Sequence, residues 1–272
     1  MSLDPAASSL TPASLQRHLR SAVFGHRIVY YPTIGSTNDC ALDLAAAGEP
    51  EGVIVLAEEQ TSGRGRRDRT WSSQPRMGIY VSLILRPEVP APRAPLFTFT
   101  AAVAVAAALR DSCHVQAGIK WPNDVVVGRR KIAGILAESR GSSPRIRDMV
   151  MGIGVNVNQA PGDFGSLGER ATSARIELGT PVDRAPVLAA ILEGFERRYG
   201  AVLRGQSADL LQEWESMSAI PRGRRVTVDG PSGRCEGTVA GVDEEGALLL
   251  DGTGEGAPRR VPFGEIVQSY WS

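Results

Sequence analysis

The chain has 272 residues, 30 Lys+Arg against 30 Asp+Glu, 42% hydrophobic residues and 6% aromatics. That length suits one large domain or a main domain with a small appendage, and a net charge of zero argues against a protein that coats nucleic acid. The longest uninterrupted apolar run, Ala101 to Leu109, falls far short of the roughly 20 residues that cross a bilayer. Three scattered cysteines with no C-x-x-C pair argue against a disulfide scaffold or a zinc site. Without a basic-then-apolar leader the expected compartment is the cytoplasm, with no membrane and no nucleic acid as partner.

In chain order, residues 1–20 read as a flexible leader carrying at most one helix, Ser14 to Ser21. Ser36-Thr37-Asn38-Asp39 before Cys40 to Ala47 and Gly48 predicts a capped helix start, a helix and a glycine stop. Val53 to Ala57 is a buried-type strand that runs toward the stretch Gly63 to Arg69. Ile79 to Leu85 is a strand with Ile79, Val81, Leu83 and Leu85 on one face, and Pro87 to Pro95 is a connection. The alanine-rich segment Leu96 to Asp111 predicts a helix lying close against something flat. Val125 to Leu136 reads as a hairpin whose two-residue turn, Gly128-Arg129, would set Asp124 opposite Ala133. Val150 to Asn158 alternates strictly: Ile153, Val155 and Val157 on one face, Gly152, Gly154, Asn156 and Asn158 on the other. Val187, Leu188, Ile191, Leu192, Phe195 and Tyr199 keep helical spacing. After Pro221, short β-type runs between Gly/Asp turns predict a small separate β-barrel, with the boundary near residue 220.

Gly63-Arg64-Gly65-Arg66-Arg67-Asp68-Arg69 carries the strongest chemical signal. Its glycines let backbone N–H groups approach a ligand, and its arginines can neutralise a phosphate or carboxylate. The lesser alternative for this segment alone is a solvated or RNA-touching basic loop, which the zero net charge disfavours. Two of the 30 basic residues are lysine, Lys120 and Lys131, and both stand near Asp124. A compact ammonium differs from a planar guanidinium, so these two positions point to a site rather than to composition. The small, hydrogen-bonding face of Gly152, Gly154 and Asn156 suits a ligand lying on a sheet.

Taken together, Ser36-Thr37-Asn38, Glu59 to Arg67, Lys120-Trp121-Pro122-Asn123-Asp124, Lys131 to Leu136 and Gly152 to Asn158 resemble the biotin protein ligases. The resemblance implies an α/β (α+β) fold. A mixed-sheet catalytic domain over 21–220, related to class II aminoacyl-tRNA synthetases and lipoate ligases, would precede an SH3-like β-barrel over 221–272. It implies ATP and biotin as substrates, Mg2+ as cofactor, and transfer of biotin to the carrier domain of acetyl-CoA carboxylase or a related carboxylase. Ser36, Thr37, Asn38, Gln60, Gly63, Arg64, Gly65, Arg66, Lys131 and Gly134 would contact biotin. Arg66, Arg69, Trp71, Lys120, Asp124 and Asn156 would serve ATP, with Asp124 on Mg2+. Lys131, Arg66 and Arg64 would carry the catalysis. Asp68 stands where a common family pattern has glycine. The 35 residues before Ser36 do not fit a winged helix, so the expected form is monofunctional, a monomer or weak homodimer.

Overall fold

The computed structural model describes residues 9–140, 143–230, 233–252 and 257–269. α1 (Pro12–Gln16) and β1 (Ile28–Tyr31) come first, followed by α2 (Thr37–Ala46) and β2 (Ile54–Ala57). β3 (Gly78–Leu85) leads through the two-residue β4 (Val89–Pro90) into the long α3 (Ala94–Cys113). Next come β5 (Gly118–Lys120), β6 (Asp124–Val127), β7 (Arg130–Glu138), β8 (Arg145–Ile146) and β9 (Met149–Asn156). Three helices follow: α4 (Ala174–Leu178), α5 (Arg184–Leu203) and α6 (Ala208–Ser216). The chain then turns all-β, with β10 (Arg225–Gly230), β11 (Gly233–Val242), β12 (Leu248–Asp251), β13 (Arg259–Val261) and β14 (Glu265–Ser269).

The main sheet has the order β1-β2-β3-β9-β7-β6-β5, with β1 parallel to β2 and every other neighbour antiparallel. Alternation along each strand sorts the side chains between its faces. Ile54, Leu56, Ile79, Val81, Leu83, Met151, Ile153 and Val155 are buried on the face covered by α3 and α5. Alanines at 101, 102, 104, 106 and 108 let α3 pack closely there, and Phe97, Phe99 and Phe195 are buried beside them. Each such phenylalanine contributes about 1.5–3 kcal/mol. By length and hydropathy α3 resembles a membrane span, but it is the core helix of this layer. On the opposite face Val53, Val55, Ile84 and Val150 pack against Ala41 and Ala45 of α2. Glycines occupy much of the rest of that face, which stays open as a cleft.

The second sheet is antiparallel, in the order β13-β12-β11-β10-β14, and forms the SH3-like part of the fold. Val226, Val228, Leu248, Leu250 and Ile266 fill its interior. It joins the main core where the Trp121 indole N–H donates to the Gly246 carbonyl at 3.1 Å.

Several expectations need correction. Of the flexible leader expected over 1–20, residues 1–8 lie outside the described residues, but Leu10 and Leu15 are core residues at 1% and 0% exposure. The N-terminal helix is Pro12–Gln16, capped by Thr11, rather than Ser14 to Ser21. β1, β5, β14, α4 and α6 had no sufficient signal in so few residues each. In the β6–β7 hairpin Asp124 pairs with Gly134, not Ala133, because the register shifts between Val125 and Val126 and leaves Ile132 as an extra residue. Asn158 lies beyond β9, where its amide grips Val182 through both the N–H and the carbonyl of that residue.

Candidate functional site

The open face of the sheet floors a cleft of about 690 Å3, within the range of small-molecule sites. α2, the loop between β2 and β3, the β6–β7 hairpin, β9 and β14 line it. Of the residues singled out from the sequence, Ser36, Thr37, Asn38, Gln60, Arg64, Gly65, Arg66, Arg69, Trp71, Lys120, Asp124, Lys131, Gly134 and Asn156 all line it. Gly63 does not. A Cβ at Gly63 would lie 2.4 Å from the Trp71 carbonyl oxygen, so this glycine permits a close turn behind the wall.

A polar network surrounds the start of α2. Ser36 caps the helix, and the Gln60 carbonyl oxygen accepts from the Thr37 backbone N–H at 2.8 Å and the Thr37 hydroxyl at 3.0 Å. The Gln60 amide donates to Ser73 at 2.7 Å, while the Ser82 hydroxyl lies 2.5 Å from the Asn38 carbonyl oxygen. The Asn38 amide donates to Glu138 at 2.7 Å, and Arg64 reaches the same carboxylate at 2.5 Å. Ser73, Ser82 and Glu138 were not anticipated: Ser82 and Glu138 meet α2 only through the sheet, and Ser73 meets Gln60 only through the folding of the loop between β2 and β3.

Cations gather beside this network. Lys131 Nζ lies 2.5 Å from Asp124 Oδ1 and 5.4 Å from the centre of the Trp71 ring. The bulge makes this possible by turning Lys131 and Gly134 to the cleft while Ile132 stays buried. Outside the sheet, the Lys131 backbone is pinned to residues 170–172 by hydrogen bonds to the Arg170 carbonyl and from the Thr172 N–H. Thr172 also receives the Asn156 amide on its carbonyl. Trp71 spans the glycine floor: a Cβ at Gly154 would stand 2.6 Å from its Cε2 and Nε1. Its indole N–H is buried without a partner among the described residues.

The arginine loop turns at Arg67 and Asp68, both at positive φ (56° and 57°), which explains why glycine suits position 68 and why aspartate is tolerated. The loop already has anions of its own. Arg69 makes a bidentate pair with Glu265 at 2.9 and 2.7 Å, and Arg67 pairs with Asp229 at 2.9 Å. Burial, with Arg67 beside it, lowers the pKa of Arg66. For Glu265, burial pushes the pKa up, but the hydrogen bond from Arg69 and the charges of Arg69, Lys120 and Arg67 outweigh it and hold the carboxyl below its ordinary value. Hydroxyls, amides and a cation cluster in one cleft can hold a neutral polar group and concentrated negative charge side by side.

Residues 30–156 match the Biotin/lipoate A/B protein ligase family, and residues 223–267 match the Biotin protein ligase C terminal domain. The Bifunctional ligase/repressor BirA of Bacillus subtilis is 39% identical over 248 residues, covering 91% of this chain and 76% of that protein. The Biotin--[acetyl-CoA-carboxylase] ligase of Paracoccus denitrificans is 37% identical over 222 residues, covering 80% of this chain and 91% of the other. Among solved structures, the biotin protein ligase from Aquifex aeolicus in complex with biotin and ATP is similar with a TM-score of 0.75 at 26% identity. That likeness covers 91% of this chain and 100% of the other.

Proposed function

The chain belongs to the biotin protein ligase family, and from that premise we propose that it activates biotin with ATP and transfers it to a lysine of a carboxylase carrier domain. The observation that carries this reading is the convergence of Lys131, Arg64, Arg66 and Arg69 with the Thr37–Gln60–Asn38 network in one cleft. A carboxylate does not acylate an amine at neutral pH, so it must first become a mixed anhydride. The biotin carboxylate oxygen attacks the α-phosphorus of ATP, the bond to the β-phosphate oxygen breaks, and pyrophosphate leaves biotinyl-5′-AMP. Ser36, Thr37, Asn38 and Gln60 take the neutral polar ring of biotin, with Gly134 leaving room beside them. Lys131, Arg64 and Arg66 draw two anions together and stabilise the charge that develops at phosphorus. Arg69, Lys120, Asn156 and Trp71 hold the nucleotide. The acceptor amine then attacks the acyl carbon, AMP departs and the amine loses its proton.

Magnesium fits this donor set only as a companion of the triphosphate. No cluster of three or more His, Cys, Asp or Glu occurs among the described residues, and Mg2+ at phosphates keeps water and needs one or two carboxylates. Asp124 would hold it, and the ion would neutralise phosphate charge.

With ATP and Mg2+ the protein should release pyrophosphate when given biotin and no acceptor. Turnover with lipoate or octanoate but none with biotin would reject the substrate assignment. A second expected result concerns the floor. Gly154→Ala forces the Trp71 indole to move, and the KM for ATP should rise about tenfold, as an added methyl in a packed wall costs about 1–3 kcal/mol. An unchanged KM would show that Trp71 is not a wall of the nucleotide site.

A further inference from the structure

On the side away from β6, the Lys131 backbone lies beyond the reach of the sheet. The β7–β9 ladder begins only at Ala133, opposite Val155. On its other side Lys131 pairs with Val126 at the bulge, the irregular point of the β6–β7 ladder. Residues 170–172 supply the missing partners, because backbone N–H and C=O groups at a half-buried site need them. The Lys131 N–H donates to the Arg170 carbonyl at 2.8 Å, and the Lys131 carbonyl accepts from the Thr172 N–H at 2.9 Å. Thr172 is fully buried, and its hydroxyl donates to the carboxylate of Glu177 on α4. The same carboxylate oxygen lies 2.9 Å from the guanidinium of Arg130, the residue immediately before Lys131.

We propose that Glu177 is a positioning residue for Lys131, acting from outside the cleft by gripping Thr172 and Arg130 on either side of it. This rests on the reading of Lys131 as the cation that stabilises charge at the reacting phosphorus. Glu177 is not among the residues that line the cleft, so whatever it contributes passes through its neighbours. Lys131 needs such support because of where it stands. A slip of one residue along β7 exchanges cleft for core, and Ile132 beside it is fully buried. The segment that fixes the register is itself irregular, so it must be held in turn. The Asn156 amide holds the Thr172 carbonyl at 3.1 Å, and Glu177 holds the Thr172 hydroxyl. With 15% of its side chain exposed, Glu177 bonds in a partly desolvated place, where a charged acceptor is stronger than at an open surface. One oxygen thereby closes a ring through Lys131, Thr172, Glu177 and Arg130. A displacement of about 1 Å in a group that brings two reactants together can lower a rate by about 100-fold.

The chain has two lysines, so protein labelled with 13C at the lysine ε carbon gives one NMR signal each for Lys120 and Lys131, assigned by the loss of one in Lys131→Arg. In Glu177→Ala the Lys131 signal should move while the Lys120 signal stays. In the same variant kcat for pyrophosphate release at saturating biotin and ATP should fall about tenfold, with the biotin Kd nearly constant. Glu177→Gln keeps an acceptor for Thr172 and loses only the charge facing Arg130, so the loss should shrink to about threefold. Arg130→Gln removes the same pair from an exposed side chain, should match Glu177→Gln, and should add nothing when the two are combined. Glu236→Ala, which removes an exposed pair with Arg225, should leave kcat and both signals as in wild type. A Lys131 signal unmoved in Glu177→Ala, or one that moves while kcat stays at the wild-type value, overturns the positioning role. If Glu177→Ala does not fold, Glu177→Gln and Arg130→Gln carry the same comparison. Failure of the parent reading shows separately, as wild-type protein that releases no pyrophosphate while its Lys131 signal still responds to Glu177→Ala.

Discussion

Lys131→Arg is expected to lower kcat for pyrophosphate release by about 2–4 kcal/mol, roughly 30- to 1000-fold, although the charge is kept. The reason is space. The Lys131 side chain lies directly on Gly134, where even an added methyl would stand 3.1 Å from its Cε and 3.2 Å from its Nζ. On its other sides are the Asp124 carboxylate at 2.5 Å and the Trp71 ring. A compact ammonium fits between two reacting oxyanions there, whereas a planar guanidinium must displace Trp71 or one of the reactants. Biotin affinity should fall far less than kcat, because the Thr37–Gln60–Asn38 network, proposed to take the ring, does not involve Lys131. Pyrophosphate release at saturating biotin and ATP, with calorimetric biotin affinity alongside, measures both. Near-wild-type kcat would mean that position 131 needs only a positive charge.

The composition already pointed to this residue, since arginine fills all but two of the basic positions. What is local in the chain was legible in the same way. The Ser36 cap, the glycine stop after α2 and the Gly152/Gly154 face follow from spacing over a few residues, and the structure places them as the spacing requires. What depends on distant pairing was not. Nothing near Arg69 announces Glu265, 196 residues on, and nothing near Asn38 announces Glu138. The β6–β7 bulge escaped for a different reason: Lys131, Ile132, Ala133 and Gly134 fit either register locally, and the burial of both Ile132 and Ala133 by the core settles it. Short strands such as β5 and β14 exist because a neighbouring edge is waiting, not because three to five residues insist on being extended.

The Glu58–Arg184 pair joins these themes and carries the largest expected effect on stability. Arg184 is 0% exposed and Glu58 5%, and they meet at 2.6 and 3.2 Å across 126 positions of sequence. Arg184 also donates to the Gly78 carbonyl at 3.0 Å, and Glu58 accepts the Leu10 backbone N–H at 2.5 Å, which ties the N-terminal segment to the core. Removing one partner leaves a buried charge uncompensated, so Arg184→Leu should destabilise by about 3–5 kcal/mol. Replacing both partners, as Glu58→Gln/Arg184→Met, should recover most of that loss, because the glutamine carbonyl still accepts from Leu10 and no charge remains buried. Urea unfolding with a constant m value is the measurement, and a double variant no more stable than the single one would refute the charge argument. The effect should reach the site. Gln60 follows Glu58 by two residues, and its amide positions Thr37, so the single variant should also raise the KM for biotin at temperatures where it is still folded. The buried pair then serves function by fixing the end of β2, from which both Gln60 and the arginine loop depart.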